Sequence, residues 1–237
     1  MAFDLKHALG TVTKPTGANG KPPTTAQKRQ YSDDLSRVFS EALEKSMRTH
    51  FPRTSSGGGT GTNAASASGI KSIDVAFNIE GLFLGLGLSV KTIGLPERNR
   101  GYTHNFKRVG EEWVLETVNY HRYMPYAIVV GMLFLPRDAM SDRTKVTSLA
   151  TATQHFAAFR GRTDYKDDLD LLEEIYIGVY APYGSNAGDV FFITPEPELG
   201  ARALPSPARR LSFEEVKDRL VADFKQRNRK LKVDKMP

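Results

Sequence analysis

The segment LFLGLGLSVKTI, residues 82–93, constrains the fold of this chain more than any other feature. Its even positions are Leu or Val as far as Val90, whereas its odd positions from Gly85 to Lys91 are small or polar. Because side chains alternate between the two faces of a strand, this pattern predicts a β-strand with one apolar face and one open face. A glycine inside a strand often marks the close approach of a ligand or another backbone. We therefore expect the open face to form a cleft that ends at Lys91.

A second strand is predicted directly before the first, over residues 70–79. Its apolar residues alternate so that Asp74 lies on the opposite face. A charged residue in a largely buried strand is costly unless it is paired or binds a metal. An Asp and a Lys on adjacent strands can share one cleft, where the carboxylate holds a divalent cation and the ammonium orients water or neutralises phosphate charge. A simple cross-strand ion pair between Asp74 and Lys91 is the alternative interpretation.

The remaining apolar patterns predict helices and strands in alternation. Predicted helices cover residues 31–50, 111–122 and 146–159, predicted strands cover 127–135, 174–180 and 189–194, and a capping box at Ser212 and Glu215 opens a last helix. This order predicts an α/β fold with a central mixed β-sheet flanked by helices.

The composition divides the chain into three parts. Residues 1–30 are rich in Gly, Pro, Thr and Lys and predict a mobile basic arm. Residues 31–200 form the predicted domain, in which the low-complexity stretch 54–69 is a flexible Gly/Ser loop. Residues 201–237 are predicted to form a basic C-terminal helix and tail.

The charge is unevenly distributed along the sequence. The net charge is +6, with +4 in residues 1–30, +6 in residues 202–237 and −4 in between. Basic ends around an acidic centre are typical of a protein that holds a polyanion and gathers carboxylates around a cation. The distribution therefore favours a nucleic-acid partner, although basic tails also serve solubility alone.

The chain contains no cysteine, which excludes disulfides and thiolate metal sites and favours the cytoplasm. Its longest apolar run, residues 126–135, is far shorter than the roughly 20 residues that a membrane span needs. The N-terminal residues lack the apolar run of a secretory signal. We therefore expect a cytoplasmic protein with no membrane partner.

In its order of elements and motifs, the segment 31–136 resembles the PD-(D/E)XK superfamily of restriction-endonuclease-like nucleases. The features that carry the resemblance are the first helix, the strand with Asp74, the strand ending in GLSVKTI, and the helix that reads EEWVLETVNYHRYMPYA. The resemblance implies a restriction-endonuclease-like core in which Asp74 and a second acid bind Mg²⁺, with Mn²⁺ as a substitute. It implies that Lys91 assists the hydrolysis of a phosphodiester bond.

Two positions depart from the family pattern. Ile73 stands where the family has proline, and Ser89 stands where it has the second acid, two residues before the lysine. Some restriction enzymes resemble this sequence in having Ser-x-Lys, and they supply the missing acid from the following helix. Glu116 is the favoured replacement here, with Glu112 one turn earlier on the same side of the helix. Glu111 and Glu80 are weaker alternatives because they lie at a helix start and in a turn.

The first helix of such enzymes often contributes another glutamate. Glu41 lies nearer the edge of the apolar stripe than Glu44, so Glu41 is favoured, although both residues can equally belong to a solvated helix face. The predicted catalytic residues are therefore Asp74, Lys91, Glu116, Ser89 and Glu41, and the predicted metal ligands are Asp74 and Glu116.

The polar loop that follows the second strand is predicted to contact nucleic acid. Its basic residues can hold the phosphate backbone while Tyr102 or Phe106 packs on a sugar or base. The predicted contact residues are Arg98, Arg100, His104, Lys107 and Arg108. An ordinary solvated loop is the alternative, and His121, at the end of the next helix, is more typical of a packed or surface residue than of a catalytic one.

The sequence thus predicts a Mg²⁺-dependent endonuclease that hydrolyses DNA in restriction or antiviral defence. A homodimer is predicted from the resemblance alone, since many such nucleases cut both strands as dimers. Two alternatives stay open, a noncatalytic nucleic-acid-binding subunit on the same fold and an RNA-processing nuclease.

Overall fold

A computed structural model describes residues 3–16, 22–57, 62–66, 69–79, 83–97, 100–142, 145–197 and 205–229. The helices are α1 (Lys6–Gly10), α2 (Thr25–Met47), α3 (Phe106–Tyr123), α4 (Ser148–Phe156) and α5 (Phe213–Arg227). The strands are β1 (Thr54–Ser56), β2 (Thr62–Ser66), β3 (Gly69–Ile73), β4 (Val75–Ile79), β5 (Phe83–Thr92), β6 (Ile128–Pro136), β7 (Glu174–Tyr180) and β8 (Val190–Ile193). Within these described segments, no helix has both the length and the apolar character that a membrane crossing requires.

A six-stranded mixed sheet forms the centre of the molecule, in the order β1-β4-β5-β6-β7-β8. Strands β5, β6 and β7 are mutually parallel, and the other pairings in this sheet are antiparallel. Helices α2 and α5 pack on one face through a cluster that includes Phe39 and Phe224. Helices α3 and α4 cover the other face through a cluster that includes Trp113 and Phe156. The predicted α/β class, with a central mixed sheet flanked by helices, is confirmed.

The segment predicted to be a mobile arm, residues 1–30, contains helix α1 and the first turns of α2. Leu5, which precedes the short helix α1, and Leu9 within it are buried in the same cluster as α2. The ring of Phe3 lies 4.5 Å from that of Phe213. Helix α2 begins at Thr25, where a capping box with Gln27 satisfies the first backbone N–H groups. A few apolar side chains therefore anchor a segment whose overall composition is polar.

The predicted flexible loop over residues 54–69 also contains regular structure. Strand β1 pairs with β4, and β2 pairs with β3 as a separate two-stranded sheet. Backbone pairing needs no apolar side chains, so the Ser-, Thr- and Ala-rich composition concealed these strands. Residues 58–61 and 67–68 of this stretch lie outside the described residues.

The strand predicted over residues 70–79 is divided at Asp74. Strand β3 ends at Ile73 in the small sheet, and β4 begins at Val75 in the main sheet, where Val75 pairs with Leu88. The chain thus changes sheets at Asp74, which lies in a bend between the two strands. Glu80, proposed as a turn residue, lies outside the described residues.

The two glycines of β5 do not form the open cleft that their pattern predicts. A Cβ atom at Gly85 would lie 2.8 Å from the side chain of Ile79, and a Cβ atom at Gly87 would overlap the side chain of Ile73. A β-bulge between Phe77 and Asn78 shifts the register at this point. The glycines therefore admit isoleucine side chains, and the polar part of this face is confined to Ser89 and Lys91.

The closing elements agree with the predicted order. Strands β7 and β8 lie within one residue of their predicted bounds, and α5 opens with the predicted capping box between Ser212 and Glu215. Residues beyond 229 in the predicted C-terminal tail lie outside the described residues.

Candidate active site

Asp74 lies at the bend where the chain enters the main sheet. One of its carboxylate oxygens accepts a hydrogen bond from the backbone N–H of Val90 at 2.7 Å, which ties it to β5 beside Lys91. Burial raises the pKa of Asp74 to about 6. The Val90 hydrogen bond and the Lys91 charge lower this pKa, whereas the nearby Glu116 carboxylate adds to the increase.

Lys91 lies between two carboxylates of helix α3. Its Nζ is 2.8 Å from Oε1 of Glu116 and 3.2 Å from Oε2 of Glu112. Burial lowers the pKa of Lys91, but Glu116, Asp74 and Glu112 together outweigh burial and raise it. Lys91 is therefore a cation at neutral pH.

Ser89 connects strand β5 to the same helix. Its buried Oγ donates to Oε2 of Glu116 at 2.5 Å and accepts from Nε1 of Trp113 at 3.2 Å. Ser89 pairs with Gly131 in β6, where a Cβ atom would lie 2.9 Å from the indole of Trp113. Because Gly131 has no side chain, the Trp113 indole packs directly on the sheet. This packing places α3 so that Glu116 contacts Ser89 and Lys91.

Helix α3 presents its glutamates to β5 because they lie one turn apart. Glu112 and Glu116 share one side of the helix, and Arg108, one turn earlier, pairs with Glu112 at 2.6 Å. Tyr120 extends this row, and its hydroxyl donates to the carbonyl of Ser72 at 3.2 Å. Burial, followed by the charges of Glu116 and Asp74, raises the pKa of Tyr120, so its hydroxyl is neutral and borders the site.

The structure thus brings together four of the five residues predicted to be catalytic: Asp74, Lys91, Glu116 and Ser89. Trp113 and Tyr120 were missed as parts of the site. Their signal in the sequence is helical spacing, since they lie three residues before and four residues after Glu116 on one helix.

Glu41 does not join this group. It pairs with Arg37 on an exposed part of α2, and its side chain is 47% exposed. Glu44, the less favoured alternative to Glu41, is only 17% exposed. It accepts from Arg48 and from the backbone N–H of Ser56 at 3.1 Å, so it secures the start of the sheet. The expectation that Glu41 supports the site is therefore corrected.

The structure separates the residues predicted to contact nucleic acid. Arg98 lies outside the described residues. Arg100 is exposed, and the side chain of Lys107 is 87% exposed and lies 3.7 Å from Glu111. His104 and Arg108 line one cavity, which is described further below.

The aromatic residues of the predicted nucleic-acid loop belong to the core. Tyr102 and Phe106 are both buried, and Phe106 packs edge-on against Phe156. The expectation that these rings pack on a sugar or base is therefore wrong. His121 is also buried, with its ring nitrogens 3.2 Å from Glu173 Oε2 and from the carbonyl of Leu169.

The acidic side chains of the site match the chemistry of a hard divalent cation. Among the described residues, no group of three or more His, Asp or Glu side chains is arranged to hold a metal ion. Mg²⁺ in sites that handle phosphate needs only one or two carboxylates, because water and substrate phosphate complete its octahedron. Asp74 and Glu116 fit that requirement. Among the described residues, Asp74 accepts one hydrogen bond, at a single oxygen.

Comparison with protein-family models, curated proteins and solved structures found no match for this chain. The interpretation of the site therefore depends on its own geometry.

Proposed function

We propose that this chain is a metal-dependent endonuclease that hydrolyses DNA phosphodiester bonds. The observation that supports the proposal most is the convergence of Asp74, Lys91 and Glu116, with Ser89 hydrogen-bonded to Glu116. PD-(D/E)XK nucleases, which this chain resembles, have an acidic residue at the position of Ser89. Here the carboxylate of Glu116 in α3 lies at that position and accepts a hydrogen bond of 2.5 Å from Ser89.

The order of elements also supports the proposal. After α2 and the short strands β1, β2 and β3, Asp74 precedes β4. Strand β5 then carries Ser-x-Lys near its end, and α3 returns two glutamates to β5. This order is similar to the one that the resemblance to restriction-endonuclease-like nucleases implies for residues 31–136. A role in restriction or antiviral defence is part of the proposal through the same resemblance.

The roles of the residues follow from their protonation. Asp74 and Glu116 would hold Mg²⁺, which when bound polarises a phosphoryl oxygen and lowers the pKa of a bound water. Lys91 keeps its proton at neutral pH, so it acts as a hydrogen-bond donor and cation, orienting water or stabilising the charge on phosphate oxygens. Ser89 and Trp113 hold the Glu116 carboxylate in place through their hydrogen bonds.

Plasmid cleavage tests this proposal. Wild-type protein with Mg²⁺ or Mn²⁺ is expected to nick or linearise supercoiled DNA, and Asp74→Ala and Lys91→Ala are expected to abolish cleavage. Glu111→Gln is the matched control, because Glu111 is an exposed residue of the same helix. A wild-type protein that binds plasmid and leaves it intact with either metal would instead favour the noncatalytic subunit. Faster cleavage of RNA than of DNA would favour the RNA-processing nuclease.

The proposal includes a homodimer, because cutting both strands of a duplex in one event needs two active sites. Linear product that forms without a nicked intermediate, together with a dimer mass in sedimentation, is the expected result. Accumulation of nicked circles by a monomeric protein would contradict the homodimer but would still support the nuclease activity.

A further inference from the structure

A cavity of about 530 Å³ opens beside the end of β5. Thr92, Ile93 and Gly94 line it, and these residues directly follow Lys91 in the chain. Its other walls come from the first turns of α2 and from the approach to α3. We call this cavity the β5 cleft. The cleft therefore lies at the end of the strand that carries Lys91.

The side chains around the β5 cleft are predominantly basic. Lys28 and Arg29 project from α2, and His104 and Arg108 come from the α3 side, against the acids Asp33 and Glu97. Among the described residues, Lys28 has no side-chain partner. Arg29 is only 3.9 Å from Asp33 in a highly exposed pair, which adds little stability. Both cations are therefore available to a ligand.

Two helix N-termini face the same cleft. Thr25, the first residue of α2, and Asn105, the N-cap of α3, both line it. The side chain of Asn105 makes no capping hydrogen bond. The N-terminus of α2 is already capped by Thr24 and Gln27, whereas that of α3 has no side-chain cap. The partial positive charge at the α3 N-terminus reinforces the basic side chains and favours a phosphate group.

The shape and remaining walls of the cleft suit one nucleotide. Its volume lies within the range of about 300–1,000 Å³ typical of small-ligand sites. Beside the charged rim, Tyr31, Ile93, Leu95 and Pro96 give it an apolar wall against which a sugar or base can pack. Arg108 connects the cleft to the active site, since it pairs with Glu112, which in turn lies 3.2 Å from Lys91.

We propose that the β5 cleft binds the nucleotide of the substrate strand next to the scissile phosphate, with Lys28 and Arg29 holding its phosphate group. This inference rests on the proposed nuclease function for its substrate. It adds a binding surface from α2, a helix whose first turns the sequence analysis assigned to a mobile arm.

The test is DNA binding without cleavage. Fluorescence anisotropy of a short labelled duplex, in EDTA and over about 50 to 200 mM salt, compares wild type with Lys28→Ala/Arg29→Ala. The matched control is Lys45→Ala/Lys166→Ala, which also removes two exposed cations, neither of which lines the cleft. Thermal melting checks that all three proteins are equally folded.

The cleft variant is expected to bind at least about tenfold more weakly, with a salt slope lower by about 2, whereas the control variant loses much less. Equal losses in the two variants would overturn the inference. So would tight binding of a free nucleoside monophosphate with no effect of the cleft variant on DNA.

The outcome is separable from that of the nuclease proposal. Cleavage by wild type with unchanged DNA binding by the cleft variant would contradict the role of the β5 cleft but support the nuclease activity. Weakened binding by the cleft variant, with no cleavage by wild type under either metal, would keep the cleft as a DNA site and reject the enzyme.

Discussion

Asp74 combines partial burial with a negative charge that its surroundings only partly compensate. Burial raises its pKa to about 6, and the Val90 hydrogen bond and Lys91 recover only part of the lost hydration. The unfolded chain releases this proton at a lower pH than the folded chain, so ionised Asp74 opposes folding. That contribution is present above pH 6 and disappears as the pH falls towards the unfolded value of 3.8.

We predict that Asp74→Asn stabilises the metal-free protein at pH 7.5 by roughly 1–3 kcal/mol. Asparagine keeps an oxygen for the Val90 N–H while removing the charge, and the gain should vanish near pH 4. Urea unfolding at both pH values measures the difference, with the exposed Asp168→Asn as control. A wild type that is more stable than Asp74→Asn at pH 7.5 would contradict this account of Asp74.

The same pKa predicts the pH dependence of metal binding. Because a cation must displace the proton of a carboxylate, Mn²⁺ affinity should fall by up to about tenfold per pH unit below pH 6. Calorimetric titration at pH 5 and pH 7.5 measures the change. Asp74→Asn should bind weakly at both values, and identical titrations of the two proteins would rule Asp74 out as a ligand.

Sequence patterns correctly predicted the helices and strands whose signals come from residues close together in the sequence. The buried strand β6 and the capped helix α5 agree because continuous apolarity and a capping box are local signals. The break at Asp74 was not predictable in this way. Alternation continues across it, and the strand is divided only because its first half pairs with β2 and its second half pairs with β5.

The candidate site was predictable to the same limited extent. Glu116 followed from helical spacing, but its bond to Ser89 also depends on Trp113 resting on Gly131, a contact between elements distant in sequence. Glu41 was misjudged because the apolar stripe indicates which side of α2 is buried, whereas its ion pair with Arg37 depends on side-chain placement.

At the scale of the element, Gly131→Ala should push α3 away from β5. The new Cβ would lie 2.9 Å from the Trp113 ring, and overpacking of this kind costs about 1–3 kcal/mol. Because α3 carries Glu116, DNA cleavage should fall together with stability. Thermal melting and plasmid cleavage measure both, and Gly10→Ala, where a Cβ would meet nothing within 4 Å, is the control. Unchanged melting would show that α3 tolerates the shift.

Across the whole molecule, a buried ionic network joins elements distant in sequence. Glu173 lies 2.8 Å from Arg162, 3.1 Å from Arg227 of α5 and 3.2 Å from His121 of α3, and it accepts from the Val129 N–H at 2.7 Å. Part of the basic C-terminal charge is thus used internally. Lys217, also buried, pairs with Glu214. The count of charges predicted a basic end but not how much of that charge faces solvent.

We predict that Glu173→Gln destabilises the protein by about 3–5 kcal/mol, since it removes the buried carboxylate that pairs with two buried arginines. Burial raises the pKa of Glu173, but His121, the Val129 N–H and Arg227 outweigh burial and lower it. The stability from Glu173 is therefore present above the unfolded pKa of 4.5 and is lost as the pH falls below it. Denaturant unfolding at pH 7 and pH 3 measures this, beside Glu174→Gln, whose partner Arg160 is partly exposed. Equal effects of the two substitutions would contradict the prediction.

The measurement that tests the central claim most directly is the rate of plasmid cleavage by Glu116→Gln at saturating Mg²⁺, beside Glu111→Gln. The account predicts a loss of at least about a hundredfold for Glu116→Gln, since this variant removes the carboxylate that replaces the acid missing at position 89. It predicts a change within about twofold for the exposed Glu111→Gln. A folded Glu116→Gln protein that cleaves at the wild-type rate would contradict the assignment of α3 as the source of the second acid.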